Sequence, residues 1–151
     1  MTAIIFILII FSILYLIIAL VTISGIGNKT ARHNKNTPFV SVVLAAKDEE
    51  HNIQNCLNSL KNINYPCAKI EYLLVNDRSQ DKTRFYMKQF SNQRDNVKIL
   101  DIENLPENRT GKINALIKGA NAAQGDVLIF TDADCEVPEN WVKSFVEQVN
   151  S

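Results

Sequence analysis

Two aspartates separated by one residue follow a short apolar run, and they are the residues of this sequence best suited to bind a metal ion. The run extends from Val127 to Phe130, and the acids are Asp132 and Asp134. Carboxylate oxygens suit Mg²⁺ or Mn²⁺, which usually take one or two protein carboxylates and complete their coordination with phosphate and water oxygens. Because Asp-x-Asp is also common in turns and at helix starts, the pair alone does not establish a metal site.

Acidic residues also follow two earlier apolar runs. Glu49 comes shortly after a run that ends at Ala46, and a second run that begins at Ile70 ends in Asp77. In an open α/β sheet, ligands bind outside the carboxyl ends of the strands. If these ends are adjacent, four carboxylates face one crevice, and a divalent cation or a cationic ligand is needed to offset their repulsion. The pattern therefore favours a metal-dependent site at this edge of a sheet.

Strand-like and helix-like segments alternate along residues 39–151, which predicts a three-layer α/β/α domain with a mostly parallel sheet. Apolar strand segments begin at Phe39, Ile70, Val97 and Val127, and the first and fourth are expected to be buried. The predicted helices place their apolar positions at Ile53, Cys56, Leu57, Leu60 and Ile63, then at Phe85, Met87 and Phe90, then at Ile113, Leu116, Ile117 and Ala120, and finally at Val142, Phe145, Val146 and Val149. Asp48 is expected to cap the first helix, with Glu49 and Glu50 near its positive end.

Residues 3–23 contain no charged residue and are rich in Ile, Leu, Phe and Val. About 21 helical residues span about 31 Å, which matches a hydrocarbon core of about 30 Å. The stretch predicts a transmembrane anchor over residues 1–24, since it is too long for a signal peptide and lacks a basic leader. The basic residues Lys29, Arg32 and Lys35 follow it in a polar linker over residues 25–38, which places the domain in the cytoplasm at the inner or plasma membrane.

Composition limits the remaining function classes. The chain has 151 residues, enough for one domain, and its 16 basic and 16 acidic residues give no argument for a nucleic-acid partner. The cysteines Cys56, Cys67 and Cys135 form no Cys-x-x-Cys pair and have no zinc-ligand spacing, which favours a reducing compartment. Cys56 and Cys67 are expected to be buried.

Four short motifs occur in a fixed order between Val40 and Val149. They are Lys47-Asp48-Glu49-Glu50, then Val75-Asn76-Asp77-Arg78-Ser79 with Asp81, then Lys112 with Ala115-Leu116 and Gly119, and finally Ala123-Gln124-Gly125-Asp126 leading to Thr131-Asp132-Ala133-Asp134. Each motif is weak alone, but in this order they resemble the nucleotide-sugar-binding half of a family 2 glycosyltransferase. Members of that family are inverting enzymes with the GT-A fold.

The resemblance implies a nucleotide-sugar donor, with a UDP-sugar favoured and a GDP-sugar as the alternative, and Mg²⁺ or Mn²⁺ as cofactor. The implied donor site consists of Ala45, Lys47 and Glu49 around the nucleoside, Asp77 at the base, Lys112 and Ala133 near the nucleotide, Asp132 on the side of the ribose and the metal, and Asp134 as a ligand of the metal. Lys47 stands where the family often has an aromatic residue, so its charge is expected to neutralise Glu49 instead of stacking on a base. A lipid or polysaccharide acceptor and a hexosyltransferase activity follow by analogy.

The general base and the acceptor motifs of the family belong to a second half, which lies beyond the end of this chain at Ser151. The expectation is therefore the donor-binding part of an incomplete transferase, and a catalytically silent, membrane-anchored nucleotide-binding module is the main alternative. A receiver-like signalling domain could use Asp77 as phosphoacceptor but leaves Asp132 and Asp134 unexplained. A nucleotidyltransferase is disfavoured, because no glycine-rich phosphate loop follows the first strand.

Overall fold

The computed structural model describes residues 11–18, 20, 37–104 and 111–149. Strands and helices alternate through the domain in the predicted order. The strands are β1 (Val40–Ala46), β2 (Ile70–Asn76), β3 (Val97–Asp101) and β4 (Val127–Asp132), and the helices are α1 (Ile53–Lys61), α2 (Thr83–Ser91), α3 (Gly111–Ala122) and α4 (Trp141–Val149). A short 3₁₀ turn, Cys67–Lys69, precedes β2.

The strands form one parallel sheet in the order β3-β2-β1-β4, which confirms the predicted α/β class with a parallel sheet. In the register of this sheet, Ala45 of β1 lies between Val75 of β2 and Asp132 of β4. The carboxyl ends of β1, β2 and β4 therefore lie side by side. This adjacency brings together the loops that carry the predicted site residues.

The two central strands are buried because helices cover both faces of the sheet. On one face, Val42, Leu44, Tyr72 and Leu74 belong to a core with residues of α1, α2 and α4. On the other face, Val43, Leu73 and Val75 pack with Ala115 of α3. The described part of the domain thus has the three predicted layers.

Helix α3 packs through small residues and not through the predicted apolar positions. Its buried residues are Ala115 and Gly119, whereas Ile113 is 52 % exposed. A Cβ added at Gly119 would collide with Cγ1 of Val43. The missing side chain allows α3 to lie close to the sheet, so the spacing of large apolar residues indicated the wrong face.

Strand β4 is not buried along its whole length, and that expectation is wrong. Leu128 and Phe130 are 39 % and 45 % exposed, whereas Ile129 and Thr131 are buried. The alternation arises because β4 is at the edge of the sheet within the described residues and α3 lies over β1 and β2. An apolar run of this length does not distinguish a central strand from an edge strand.

The predicted membrane anchor is described only in part. Residues 11–18 and 20 are helical, and their large apolar side chains are exposed. None of the described helices is long and apolar enough to cross a membrane. Residues 1–10, 19 and 21–36, which complete the predicted anchor and most of the linker, lie outside the described residues, as do residues 105–110 of the polar loop before α3.

The three cysteines are free thiols in different surroundings. Cys56 is buried on α1, as predicted, and burial raises the pKa of its thiol to about 12, which keeps it neutral. Cys67 is exposed, contrary to the prediction, because it begins the 3₁₀ turn at the surface. Cys135 is exposed in the segment after β4.

Candidate functional site

A cavity of about 200 Å³ opens at the carboxyl edge of the sheet, where β1, β2 and β4 end. Its wall contains Ala45, Ala46, Lys47, Glu49, Asp77, Lys112, Ala115, Asp132, Ala133 and Asp134. Every residue that the sequence placed in the donor site therefore lies in one cavity wall. These residues come from three strand ends and the first turns of α3, and the parallel register brings them together.

The loops after β1 and β2 hold each other through reciprocal hydrogen bonds. The backbone N–H of Asp48 donates to Oγ of Ser79 (3.1 Å), and the N–H of Gln80 donates to Oδ1 of Asp48 (2.7 Å). Farther along, the N–H of Lys82 donates to Oε2 of Glu50 (3.1 Å). Because these bonds satisfy backbone groups that no helix or strand engages, they give two irregular loops a defined shape.

This arrangement corrects the predicted role of the acids after β1. Helix α1 begins at Ile53 after Asn52, and its first turn contains no acid. Asp48 has a left-handed backbone conformation (φ 55°), and its carboxylate bonds to the β2–α2 loop instead of capping α1. The physical reason is that the helix starts one turn later than the acids suggested, so they lie in the loop.

Glu49 is held at the cavity by a neighbouring helix. Its N–H donates to Oγ1 of Thr83, which is buried at the start of α2, at 2.7 Å. Its carboxylate accepts a hydrogen bond from Nδ2 of Asn52 (3.0 Å). The expected neutralisation by Lys47 is not found among the described residues, where Lys47 is exposed and forms no ion pair.

Asp77 lines the cavity although it is only 3 % exposed. Its N–H donates to the carbonyl oxygen of Ala46 (2.9 Å), which extends the contact between β1 and β2 by one residue. Its Oδ1 accepts a hydrogen bond from Nε of Arg78 at 2.8 Å. The left-handed conformation of Arg78 (φ 57°) turns the chain at this point, and the ion pair fixes the orientation of the carboxylate.

Asp101 and Arg84 support the end of β2 from the side, and sequence reasoning missed both. Nδ2 of Asn76 donates to Oδ1 of Asp101 (2.9 Å), and Nε and Nη2 of Arg84 bond its two oxygens at 2.8 Å each. The hydrogen bonds from Arg84, followed by the one from Asn76, hold the pKa of Asp101 below its usual value. Asp101 ends β3 at the same edge as the other acids, which is the signal that could have identified it.

Asp132 forms an ion pair with Lys112 across the cavity. Nζ of Lys112 lies 3.0 Å from each of the two carboxylate oxygens. Both side chains are well exposed, at 66 % for Lys112 and 48 % for Asp132. The hydrogen bond and the negative charge of Asp132 raise the pKa of Lys112, so the lysine stays charged at neutral pH.

The two carboxylates at the end of β4 suit a metal ion that takes few ligands from the protein. Among the described residues, no group of three or more His, Cys, Asp and Glu side chains could hold a cation by itself. Asp132 and Asp134 therefore suit an ion that takes one or two protein carboxylates and further oxygens from ligand and water, as Mg²⁺ and Mn²⁺ do. The predicted need for a cation to balance four acids is met partly by the chain, because Arg78 and Lys112 pair with two of them.

A second cavity, of about 550 Å³, adjoins the first and shares Lys112 and Asp132 with it. Its wall includes the aromatic residues Phe130, Trp141 and Phe145. The rings of Trp141 and Phe145 meet edge to face with centroids 5.5 Å apart. The volume of this second cavity lies within the range of about 300–1,000 Å³ that is usual for ligand pockets, whereas the first cavity is smaller. The Lys112–Asp132 pair stands between them.

Comparisons with known proteins agree with this architecture. A family model described as glycosyl transferase family 2 matches residues 41–151. Glycosyltransferase AglE of Haloferax volcanii is 35 % identical over 113 residues, which cover 75 % of this chain and 36 % of AglE.

Two solved structures share the fold. The mannosyltransferase PcManGT from Pyrobaculum calidifontis, in complex with GDP-Man and Mn²⁺, has a TM-score of 0.67 and 23 % identity, covering 76 % of this chain and 33 % of its own. TarS 1-349 of S. aureus, in complex with UDP-GlcNAc, has a TM-score of 0.59 and 25 % identity, covering 71 % of this chain and 30 % of its own. The chain thus spans about a third of the length of these proteins.

The family match includes nearly all of the sheet and every predicted site residue. It therefore excludes the receiver-like alternative, which also left the acids after β4 without a role. The match to the family model agrees with the parallel sheet and with the cavity at its edge, and the chain belongs to glycosyl transferase family 2.

Proposed function

We propose that this chain binds a nucleoside-diphosphate sugar together with Mg²⁺ or Mn²⁺, as the donor-binding part of an inverting hexosyltransferase. The observation that carries the proposal is that the predicted donor residues, distant in sequence, line one cavity. A donor of this kind requires acceptors for its base and ribose and a cation for its diphosphate. Asp77, Asp132 and Asp134 have the chemistry for these three tasks.

Each side of the proposed site has a separate task. Asp77, fixed by Arg78, accepts a hydrogen bond from the base. Ala45, which pairs with Val75 and Asp132 in the sheet, contributes a small side chain to the cavity wall and leaves room for the nucleoside, which Lys47 and Glu49 flank. Ala133 has an equally small side chain and lies between the two acids proposed to bind the metal.

We favour a UDP-sugar over a GDP-sugar. PcManGT binds GDP-Man and TarS binds UDP-GlcNAc, so the family fold accommodates both bases.

The proposed chemistry follows from the charge that develops on the leaving group. As the bond to the sugar breaks, negative charge grows on the phosphate oxygens, and fixed positive charge stabilises it. A divalent cation would supply Lewis-acid stabilisation there, and Asp132 with Asp134 would hold it. Lys112 places an ammonium group on the same wall. No general base is assigned to the described residues.

We further propose that residues 3–23 anchor the protein in the inner or plasma membrane, with residues 39–151 on the cytoplasmic side. The support is the absence of charged residues in this stretch, the basic residues after it, and the exposed apolar side chains of residues 11–18. A site held close to a membrane surface favours a lipid or a membrane-attached polysaccharide as acceptor.

The full chain, purified in detergent, tests the donor site by calorimetric titration with UDP and with GDP, each with and without Mn²⁺. We expect one nucleoside diphosphate to bind, and only when the metal is present. Absence of binding by both nucleotides in the presence of Mn²⁺ would contradict the proposal. Sugar transfer by this chain to membrane lipid or polysaccharide preparations would contradict the alternative of a silent nucleotide-binding module.

A further inference from the structure

The ion pair between Lys112 and Asp132 occupies the oxygens that a cation bound to Asp132 would use. Nζ of Lys112 is equidistant from Oδ1 and Oδ2, at 3.0 Å from each. A divalent cation that binds between these two oxygens, or on the side of either oxygen that faces the lysine, would lie against the ammonium group. Asp132 therefore cannot hold both Nζ and a divalent cation on this side of its carboxylate.

We propose that Lys112 is a resident counter-cation of Asp132, which the divalent cation must displace, so that the metal binds well only together with the nucleotide. The inference rests on the proposed function, because it takes Asp132 as a metal ligand. It also gives the order of events: Lys112 is paired with Asp132 before the metal binds, and the metal ion then replaces the lysine.

The charges around the cavity explain why the nucleotide is required for this exchange. Asp132 and Asp134 contribute two negative charges, so a divalent cation balances them and leaves the ammonium of Lys112 in excess. Two cations at close range repel each other unless a further anion is present. A diphosphate supplies that anion, because its oxygens accept both the metal and the displaced ammonium. Metal and nucleotide should therefore raise each other's affinity by the same factor.

A second lysine in the cavity wall provides the matched control. Lys47 contributes to the same cavity but forms no ion pair with any of the described residues. Replacing either lysine by methionine removes one positive charge and keeps a side chain of similar length. Only Lys112→Met also frees both oxygens of Asp132. A comparison of the two variants thus distinguishes direct occupation of the Asp132 oxygens by Lys112 from the electrostatic effect of a lysine elsewhere in the cavity wall.

The experiment measures the Kd of Mn²⁺ by electron paramagnetic resonance of the free ion, using the full chain in detergent, with and without UDP or GDP. We expect Lys112→Met to bind Mn²⁺ alone about three- to tenfold more tightly than the wild type, and Lys47→Met less than about twofold more tightly, since only the first removes a charge at contact distance. The factor by which the nucleotide improves Mn²⁺ binding should also fall in Lys112→Met. Far-ultraviolet circular dichroism checks that both variants are folded.

An equal increase in Mn²⁺ affinity in both variants would overturn the inference, because loss of any positive charge from the cavity wall would then explain the increase. Unchanged or weaker Mn²⁺ binding in Lys112→Met would overturn it as well. Failure of the proposed function has a different signature, in which the wild type binds no Mn²⁺ even with nucleotide present. That result would remove the inference together with the function on which it rests.

Discussion

Gly111, the first residue of α3, lies directly against the carboxylate of Asp77. A Cβ added at Gly111 would overlap Oδ2 of Asp77 and come within 3.0 Å of Nη2 of Arg78. Because glycine has no side chain, α3 can begin beside the end of β2. The contact places Lys112, the next residue, in the cavity wall.

Substitution of Gly111 by alanine should therefore impair nucleotide binding more than it impairs folding. The new methyl group would push the Asp77 carboxylate out of its orientation, whereas alanine favours the helix by about 1 kcal/mol. We expect an affinity for the nucleoside diphosphate lower by about tenfold or more, which corresponds to about 1.4 kcal/mol, in calorimetry with Mn²⁺. Ile113→Ala, an exposed change two residues along α3, is the control. Unchanged affinity in Gly111→Ala would show that the position of Asp77 is not critical.

Asp134→Asn should abolish the Mn²⁺-dependent binding of the nucleotide and leave the thermal unfolding midpoint unchanged. Asp134 is exposed, so no core packing is lost, but the neutral amide is a poorer ligand for a hard cation. Calorimetric titrations with and without metal measure the effect. As a control, Glu136→Gln removes another exposed charge two residues away, which lines the larger cavity but not the smaller one. A metal dependence that persists in Asp134→Asn would exclude this residue as a ligand.

Gly119→Ala should destabilise the domain by about 1–3 kcal/mol, the usual cost of overpacking a core. The added Cβ would collide with Cγ1 of Val43, which is fully buried in β1. Denaturant unfolding measures the change. In the Gly119→Ala/Val43→Ala double variant, the two changes should be clearly non-additive, because removal of the valine methyls makes the space that the new Cβ needs. Additive losses would mean that the clash does not limit the approach of α3.

The buried acid Glu71 should make stability depend on pH. Its Oε1 accepts hydrogen bonds from Oγ of Ser41 and the N–H of Gln124, both at 2.7 Å, and Nζ of Lys98 bonds Oε2 at 3.1 Å. Burial by itself raises the pKa of Glu71, but these hydrogen bonds outweigh it and hold the pKa below its usual value. The charged form is thus favoured in the folded state. The resulting stability is present above the unfolded pKa of about 4.3 and is lost as the pH falls through the folded value.

Glu71→Gln should accordingly lower the free energy of unfolding by about 1–3 kcal/mol at pH 7, and the difference from the wild type should shrink below about pH 4. Denaturant unfolding over this pH range measures it. Glu147→Gln on α4 provides a control at an exposed acid. A constant difference from pH 7 to pH 3 would contradict a role for the charge of Glu71.

The sequence by itself was sufficient to predict the order of the elements, the first residue of each strand to within one position, and eight of the ten residues of the cavity wall. The predicted β1 began at Phe39, and the strand begins at Val40. The prediction agrees with the structure because the spacing of apolar residues and the ends of strands depend on only a few consecutive residues. Because the carboxyl ends of adjacent parallel strands lie at one edge, the acids at those ends were also expected to lie together, and they line the same cavity.

Only the tertiary structure decided how these residues are engaged. The pairing of Lys112 with Asp132, the contact of Gly119 with Val43 and the bond between Asp48 and Gln80 join segments at least 20 residues apart. Such contacts depend on distances of a few ångströms between separate elements, which a hydrophobic pattern does not encode. The sequence therefore determined which residues surround the cavity, whereas close packing of the sheet, its loops and α3 decided which charges are already paired there.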